Sequence, residues 1–188
     1  MEMTGEVAIA APVQRVWAAL NDPDVLRRSI DGCESFERTS ETSFAARVVA
    51  RIGPVKAGFG GAVTLTDLDP PYGYTLVGEG SGAGAGFARG QARVRLSDVG
   101  GSTRLSYEVK ADVGGKLAQI GARLIDQTAR KQADSFFARF AAIVADGGPP
   151  PLPAAARGAW ARGPDWVSAA IMIAMALAIG FLAGRLWG

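Results

Sequence analysis

The sequence predicts an α+β protein: a curved antiparallel sheet wrapped round one long C-terminal helix, followed by a single membrane-spanning helix. Three observations predict it. Apolar residues alternate with polar ones in segments joined by tight turns, which is the period of strands with one buried face. Helical periodicity runs unbroken from about Gly115 to Ala145. From Trp166 to Gly184 there is no charged side chain.

Taken in order, Val7-Ala8-Ile9 reads as a first strand. Pro12 is suited to the first turn of a helix carrying Val13, Val16, Trp17 and Leu20, which should stop before Asn21-Asp22-Pro23. A second short helix with Val25 and Leu26 follows. About six antiparallel strands then include Phe44–Val48, Val63–Leu65, Tyr74–Leu76 and Leu105–Val109, because their links (Ile52-Gly53-Pro54, Asp67–Pro71, Asp98–Ser102) are too short for βαβ crossovers. The last helix, roughly 45 Å long at 1.5 Å per residue, places Leu117, Ile120, Leu124, Phe136, Phe140, Ile143 and Val144 near one face. Residues 1–146 thus form one domain, 147–164 a linker and 165–188 an anchor.

The nineteen residues from Trp166 to Gly184 would make a helix of about 28 Å, close to the hydrocarbon thickness of a bilayer. Trp166 and Trp187 bracket the run, Asp165 precedes it and Arg185 follows, an arrangement of interfacial anchors around a span. The linker, with Gly147-Gly148-Pro149-Pro150-Pro151 at its start, favours extended polyproline II and could hold the domain up to roughly 55 Å from the bilayer. Met1 to Glu6 contain neither a basic nor an apolar leader region, so the domain is expected in the cytoplasm, facing the inner membrane that the anchor crosses once.

Composition excludes several function classes. Up to Asp146 the chain carries 17 Lys and Arg against 17 Asp and Glu. A neutral domain argues against nucleic acid as a partner, since phosphate neutralisation needs a net basic face. No histidine occurs and Cys33 is the sole cysteine, which removes the commonest general base and the usual zinc and iron–sulfur ligands. The sequence offers neither a nucleophile elbow nor a carboxylate pair spaced for acid–base work, so no catalytic or metal-binding residue is assigned. The lone thiol fits a reducing compartment.

Alternation points Phe44, Val48, Phe59, Val63, Leu76, Leu105 and Tyr107 inward, opposite Leu117, Ile120 and Leu124 of the long helix. These residues either fill a dry core or line an apolar ligand cavity. Gly121, Thr128 and Gln132, small or polar near the helix stripe, favour the cavity. The run Gly78–Gly86 lacks the helix that a dinucleotide fingerprint needs after it, and reads instead as a mobile hairpin at the cavity mouth, with Phe87 as a lid or a core anchor.

Several separate runs carry a family resemblance: Ile30-Asp31-Gly32-Cys33-Glu34-Ser35-Phe36-Glu37, Gly53-Pro54-Val55-Lys56-Ala57, Leu68-Asp69-Pro70-Pro71, Gly78-Glu79-Gly80, Gly86-Phe87-Ala88-Arg89-Gly90 and Gly114-Gly115-Lys116-Leu117-Ala118-Gln119-Ile120-Gly121. Together they resemble the family of the carbon monoxide dehydrogenase G subunit, over residues 2 to about 146. Asp31 departs from the pattern, where proline is expected. The resemblance implies a helix-grip fold of the START-like (SRPBCC) superfamily and a non-enzymatic accessory role beside a molybdenum hydroxylase of the carbon monoxide dehydrogenase type, at the membrane. A respiratory quinone or other isoprenoid lipid is the ligand expected in such a cavity. A recruitment scaffold with a collapsed cavity, or an enzyme of the polyketide cyclase kind, are the alternatives.

Overall fold

The computed structural model describes residues 1–52, 55–82, 84–146 and 178–179. The element order is β1 (Glu2–Ile9), α1 (Val13–Leu20), α2 (Pro23–Ser29), β2 (Cys33–Arg38), β3 (Ser43–Ile52), β4 (Val55–Asp69), β5 (Gly73–Gly82), β6 (Gly86–Val99), β7 (Ser102–Gly114), α3 (Lys116–Gln119), α4 (Ala122–Ala145) and β8 (Ala178–Ile179). The main sheet runs β1-β7-β6-β5-β4-β3-β2, antiparallel between every pair of neighbours. Every link from β2 to β7 is a hairpin, and the first strand returns to pair with the seventh. The expected α+β architecture, a curved sheet gripping a C-terminal helix, is what the chain forms.

Pro12 precedes α1 in an extended conformation (ψ 151°), and the helix buries Val13, Val16, Trp17, Ala19 and Leu20. Asp22 caps α2, accepting from the backbone N–H groups of Asp24 at 2.8 Å and Val25 at 3.3 Å, with Pro23 at the first helical position where its missing N–H costs nothing. On α4, Ala133, Phe136, Phe137, Phe140 and Val144 are buried. Their i, i+3, i+4 spacing forms the stripe that the sheet grips. Phe136 stacks on Phe140 at 5.6 Å, and Phe137 stacks on Tyr107 of β7 at 5.4 Å. These side chains join Trp17, Leu20, Leu26, Phe44, Leu76 and Leu105 in one large apolar cluster.

The expected single C-terminal helix is divided. Gly121 has φ +98°, a backbone region that only glycine enters freely, so the short α3 ends there and α4 begins. A side-chain pattern continued across the break because α3 keeps Leu117 on the inner side. The expected loop Gly78–Gly86 is mostly strand: β5 continues to Gly82, held in register by Gly61↔Gly80 and Phe59↔Gly82 from β4. Gly80 and Ser81 oppose Gly61 and Gly60, and Gly82 makes room for the Phe59 ring, so the ladder forms without side-chain crowding.

The linker and the expected span lie outside the described residues, apart from Ala178–Ile179, whose backbone is extended and pairs in parallel with Gly80 and Ser81. A two-residue ladder is a marginal contact in water. Among the described residues no helix is long and apolar enough to cross a membrane.

Candidate ligand hollow on the inner face of the sheet

Cross-strand register maps the inner face row by row. Near the α1 end, Val109, Ala92, Leu76 and Leu65 stand side by side. The next row reads Ala111, Gly90, Gly78, Val63 and Phe44. Beyond it Gly80, Gly61 and Ala46 are in register, with the pair Val113 and Ala88 on the adjoining strands. Bulk returns only at Phe59 and Val48, opposite Gly82. The middle of the sheet therefore carries a floor of glycine and alanine, about two residue pairs or roughly 13 Å along the strands.

The described residues place few buried side chains over this floor, and the extended pair Ala178–Ile179 lies against it at Gly80 and Ser81. The large cluster ends at Ala133 on α4, with Ala129 packed at its edge. From Ala122 to Gln132 no residue of α4 is buried. A second, separate cluster of Phe59, Ala85, Ala88 and Leu117 closes the far end, with Ala50, Ala57, Val113 and Ile120 packed against it. Floor residues Ala46, Gly61 and Gly90 are only half-buried, as are Ile125, Asp126 and Ala129 on the helix above.

The rim at the far end is firmly held. The backbone N–H of Leu117 donates to Ala85 O at 2.9 Å, and that of Ala85 to Gly82 O at 2.9 Å. A Cβ at Gly82 would overlap the Phe59 ring, so this glycine allows the ring to close the floor. The short turn does lie beside Leu117, as the sequence suggested, but Ala85 is buried and pins it.

The residues expected to line a cavity separate into groups. Phe44, Val48, Val63, Leu76 and Leu105 are buried in the large cluster, and Phe59 and Leu117 in the small one. Ile120 is half-buried against the small cluster. Tyr107 is half-buried at the α4 side. Three expectations are corrected. Phe87 is 43% exposed on the outer face, since it alternates with the inward Ala88 and its ring covers Gly114. Leu124 is 36% exposed because the first turns of α4 stand off the sheet. Gly121 is the α3–α4 break and is exposed at the helix start. Sequence reasoning missed the floor itself, Gly61, Gly78, Gly80 and Gly90, although the signal was present as glycines at period two on adjacent strands.

Polar groups on this side are few. One carboxylate oxygen of Asp126 is enclosed and has no hydrogen-bond partner among the described residues. Burial pushes the Tyr107 hydroxyl above the usual tyrosine range; the nearby Asp134 adds to the rise and Arg130 opposes it. Tyr107 therefore stays a neutral donor at physiological pH. Burial also raises the Cys33 thiol, with Arg27 opposing and Glu34 adding, so it is not an activated nucleophile. Among the described residues no three potential ligands gather to hold a metal. Two grooves, about 780 and 510 Å3, lie on the opposite, solvent face of the sheet; charged side chains such as Glu79, Arg89, Lys110 and Asp112 line the first, and Asp67, Arg93 and Arg95 the second. The salt bridge Arg89–Asp112 at 3.8 Å, both partners exposed, crosses the larger one. Such a face suits water better than an apolar ligand.

Residues 5–145 match the family of the carbon monoxide dehydrogenase G subunit (CoxG). The chain belongs to that family. The CoxG domain is also similar to a conserved protein from Geobacillus kaustophilus, at 31% identity and a TM-score of 0.74 over 78% of this chain and 97% of that one. Similarity of fold extends to TTHA0849 from Thermus thermophilus, at 17% identity and TM-score 0.60, covering 79% of this chain and 100% of the other. It reaches the Zhui aromatase/cyclase from Streptomyces, at 12% identity and TM-score 0.56, covering 78% and 94%. No curated protein matches. Family and neighbours together place the CoxG domain among START-like, SRPBCC folds, and the family is one of accessory proteins associated by name with carbon monoxide dehydrogenase.

Proposed function

We propose that this CoxG protein is a membrane-tethered, non-enzymatic carrier that holds a lipophilic molecule in the inner-face hollow and couples a carbon monoxide dehydrogenase-type molybdenum hydroxylase to the cytoplasmic membrane. The observation that carries the reading is the floor of glycine and alanine between two apolar clusters, under the first half of α4, where no residue is fully buried. A respiratory quinone fits this arrangement: an isoprenoid tail needs flat apolar wall, and each square ångström of it removed from water contributes about 25 cal/mol. Its ring carbonyls accept hydrogen bonds from any donor at the cavity wall. With no histidine in the chain, proton and electron chemistry is assigned to the partner.

The uncharged C-terminal run supports the tether, because burying nineteen residues in a bilayer outweighs the two-residue pairing of Ala178–Ile179 with β5. Organic extraction of the purified full chain followed by mass spectrometry tests the cargo. A stoichiometric isoprenoid quinone is expected; a chain that recovers no lipid from native membranes would leave a recruitment scaffold as the remaining role.

A further inference from the structure

The two ends of the sheet carry opposite charge. At the end closed by the small cluster, the links β3–β4, β5–β6 and β7–α3–α4 hold no acidic residue, and Arg51, Lys56, Lys116 and Arg123 are exposed there. Among the described residues none of these four is in an ion pair. Arg51 and Lys56 stand directly opposite each other across β3 and β4, a like-charge pairing that weakens a hairpin. At the other end, Glu41 lies in the β2–β3 link, Asp67 and Asp69 at the end of β4 and Asp98 near the end of β6, with Arg38 and Arg104 the cations at the neighbouring strand ends. β4 alone, fifteen residues long, separates the ends by roughly 50 Å.

Phe87 and Leu124 are exposed at the basic end, as Tyr72 and Val99 are at the other, so it is the basic end that sets cations around apolar side chains. Cations around exposed apolar side chains match the surface of an anionic bilayer, where the charges meet headgroups and the apolar groups enter the acyl boundary. We propose that this rim docks on anionic membrane while the acidic end points away. The proposal rests on the membrane-tethered reading given above, and extends it from a tether to a fixed orientation. It gives the Arg51/Lys56 repulsion a purpose: lipid phosphates between the two side chains would relieve it.

The test uses the full chain in Cys33→Ser background, reconstituted in vesicles of phosphatidylcholine with or without about one-third phosphatidylglycerol. An environment-sensitive nitrobenzoxadiazole probe is attached at Leu124→Cys, or at Val99→Cys in the β6–β7 turn as the distal control. In anionic vesicles the probe at 124 should shift to the blue and be quenched by brominated lipid, and the probe at 99 should not. Arg51→Glu with Lys116→Glu should abolish the quenching at 124, since each cation near the surface is worth about five-fold in binding, and salt should weaken it. Equal probe exposure at 124 and 99, or quenching indifferent to lipid charge, would overturn the proposal. So would protection at 124 that appears only on adding the hydroxylase, which would make the rim a protein interface. A hollow blocked by Gly61→Val should leave docking intact while lipid recovery falls, so loss of cargo and loss of docking are read separately.

Discussion

The Tyr74 hydroxyl is buried beside Trp17, ring centroids 5.6 Å apart, and has no hydrogen-bond partner among the described residues. An unpaired buried hydroxyl costs on the order of 1 kcal/mol or more, so Tyr74→Phe should raise the melting temperature by roughly 3 °C, measured by calorimetry. Burial also raises the Tyr74 ionisation well above its ordinary value. The sign follows directly. The unfolded tyrosine loses its proton first, so the neutral form stabilises the fold below about pH 10, and that stability drains away as pH rises toward the folded value. Urea titrations of wild type and Tyr74→Phe from pH 8 to 11 should show the wild type weakening more steeply. Gly61→Val makes the complementary point on the floor. Gly61 sits in a regular strand, where valine is the better strand former, so the fold should survive while extracted lipid drops several-fold. Unchanged lipid content in that variant would remove the hollow from the carrier reading.

At the scale of elements, much of the chain was legible because burial on one face imposes a period that composition reveals. Val13, Val16, Trp17 and Leu20 repeat at helical spacing and all are buried on α1. Phe44 and Val48, or Leu105 and Val109, alternate and are likewise buried. What failed to show lacks a side-chain signature. A glycine in a positive-φ break and a glycine in a regular strand are the same letter, so Gly121 read as helix and Gly78–Gly82 as loop. Phe87 read as either a lid or a core anchor, and strand parity fixed by the buried Ala88 sends it outward. The small cluster has its own consequence for dynamics: with four buried residues against twenty-nine in the large one, it should open first. Leu117→Ala removes its anchor, and amide exchange at 84–89 and 115–120 should speed at least ten-fold while the core of α4 around Phe140 is nearly unaffected. Equal acceleration in both regions would mean that rim and core open as one unit.

For the whole molecule, deleting residues 165–188 should move the protein, and the hydroxylase with it, from the membrane pellet to the supernatant. Co-sedimentation unchanged by the deletion would assign attachment to the rim alone. The order of the sheet has a further consequence, for biosynthesis. Glu2 pairs with Lys110 and Ile9 with Thr103, so the strand made first has its partner made last. Closing a loop of about a hundred residues before that ladder forms is the slow step expected of such topology. Until β7 leaves the ribosome, β1 is an unpaired edge and β6 offers another, both open to neighbouring nascent chains. A fragment ending at Gly100 should therefore aggregate and one ending at Asp146 should not, and chaperone demand in the cell should fall on the interval between those two points.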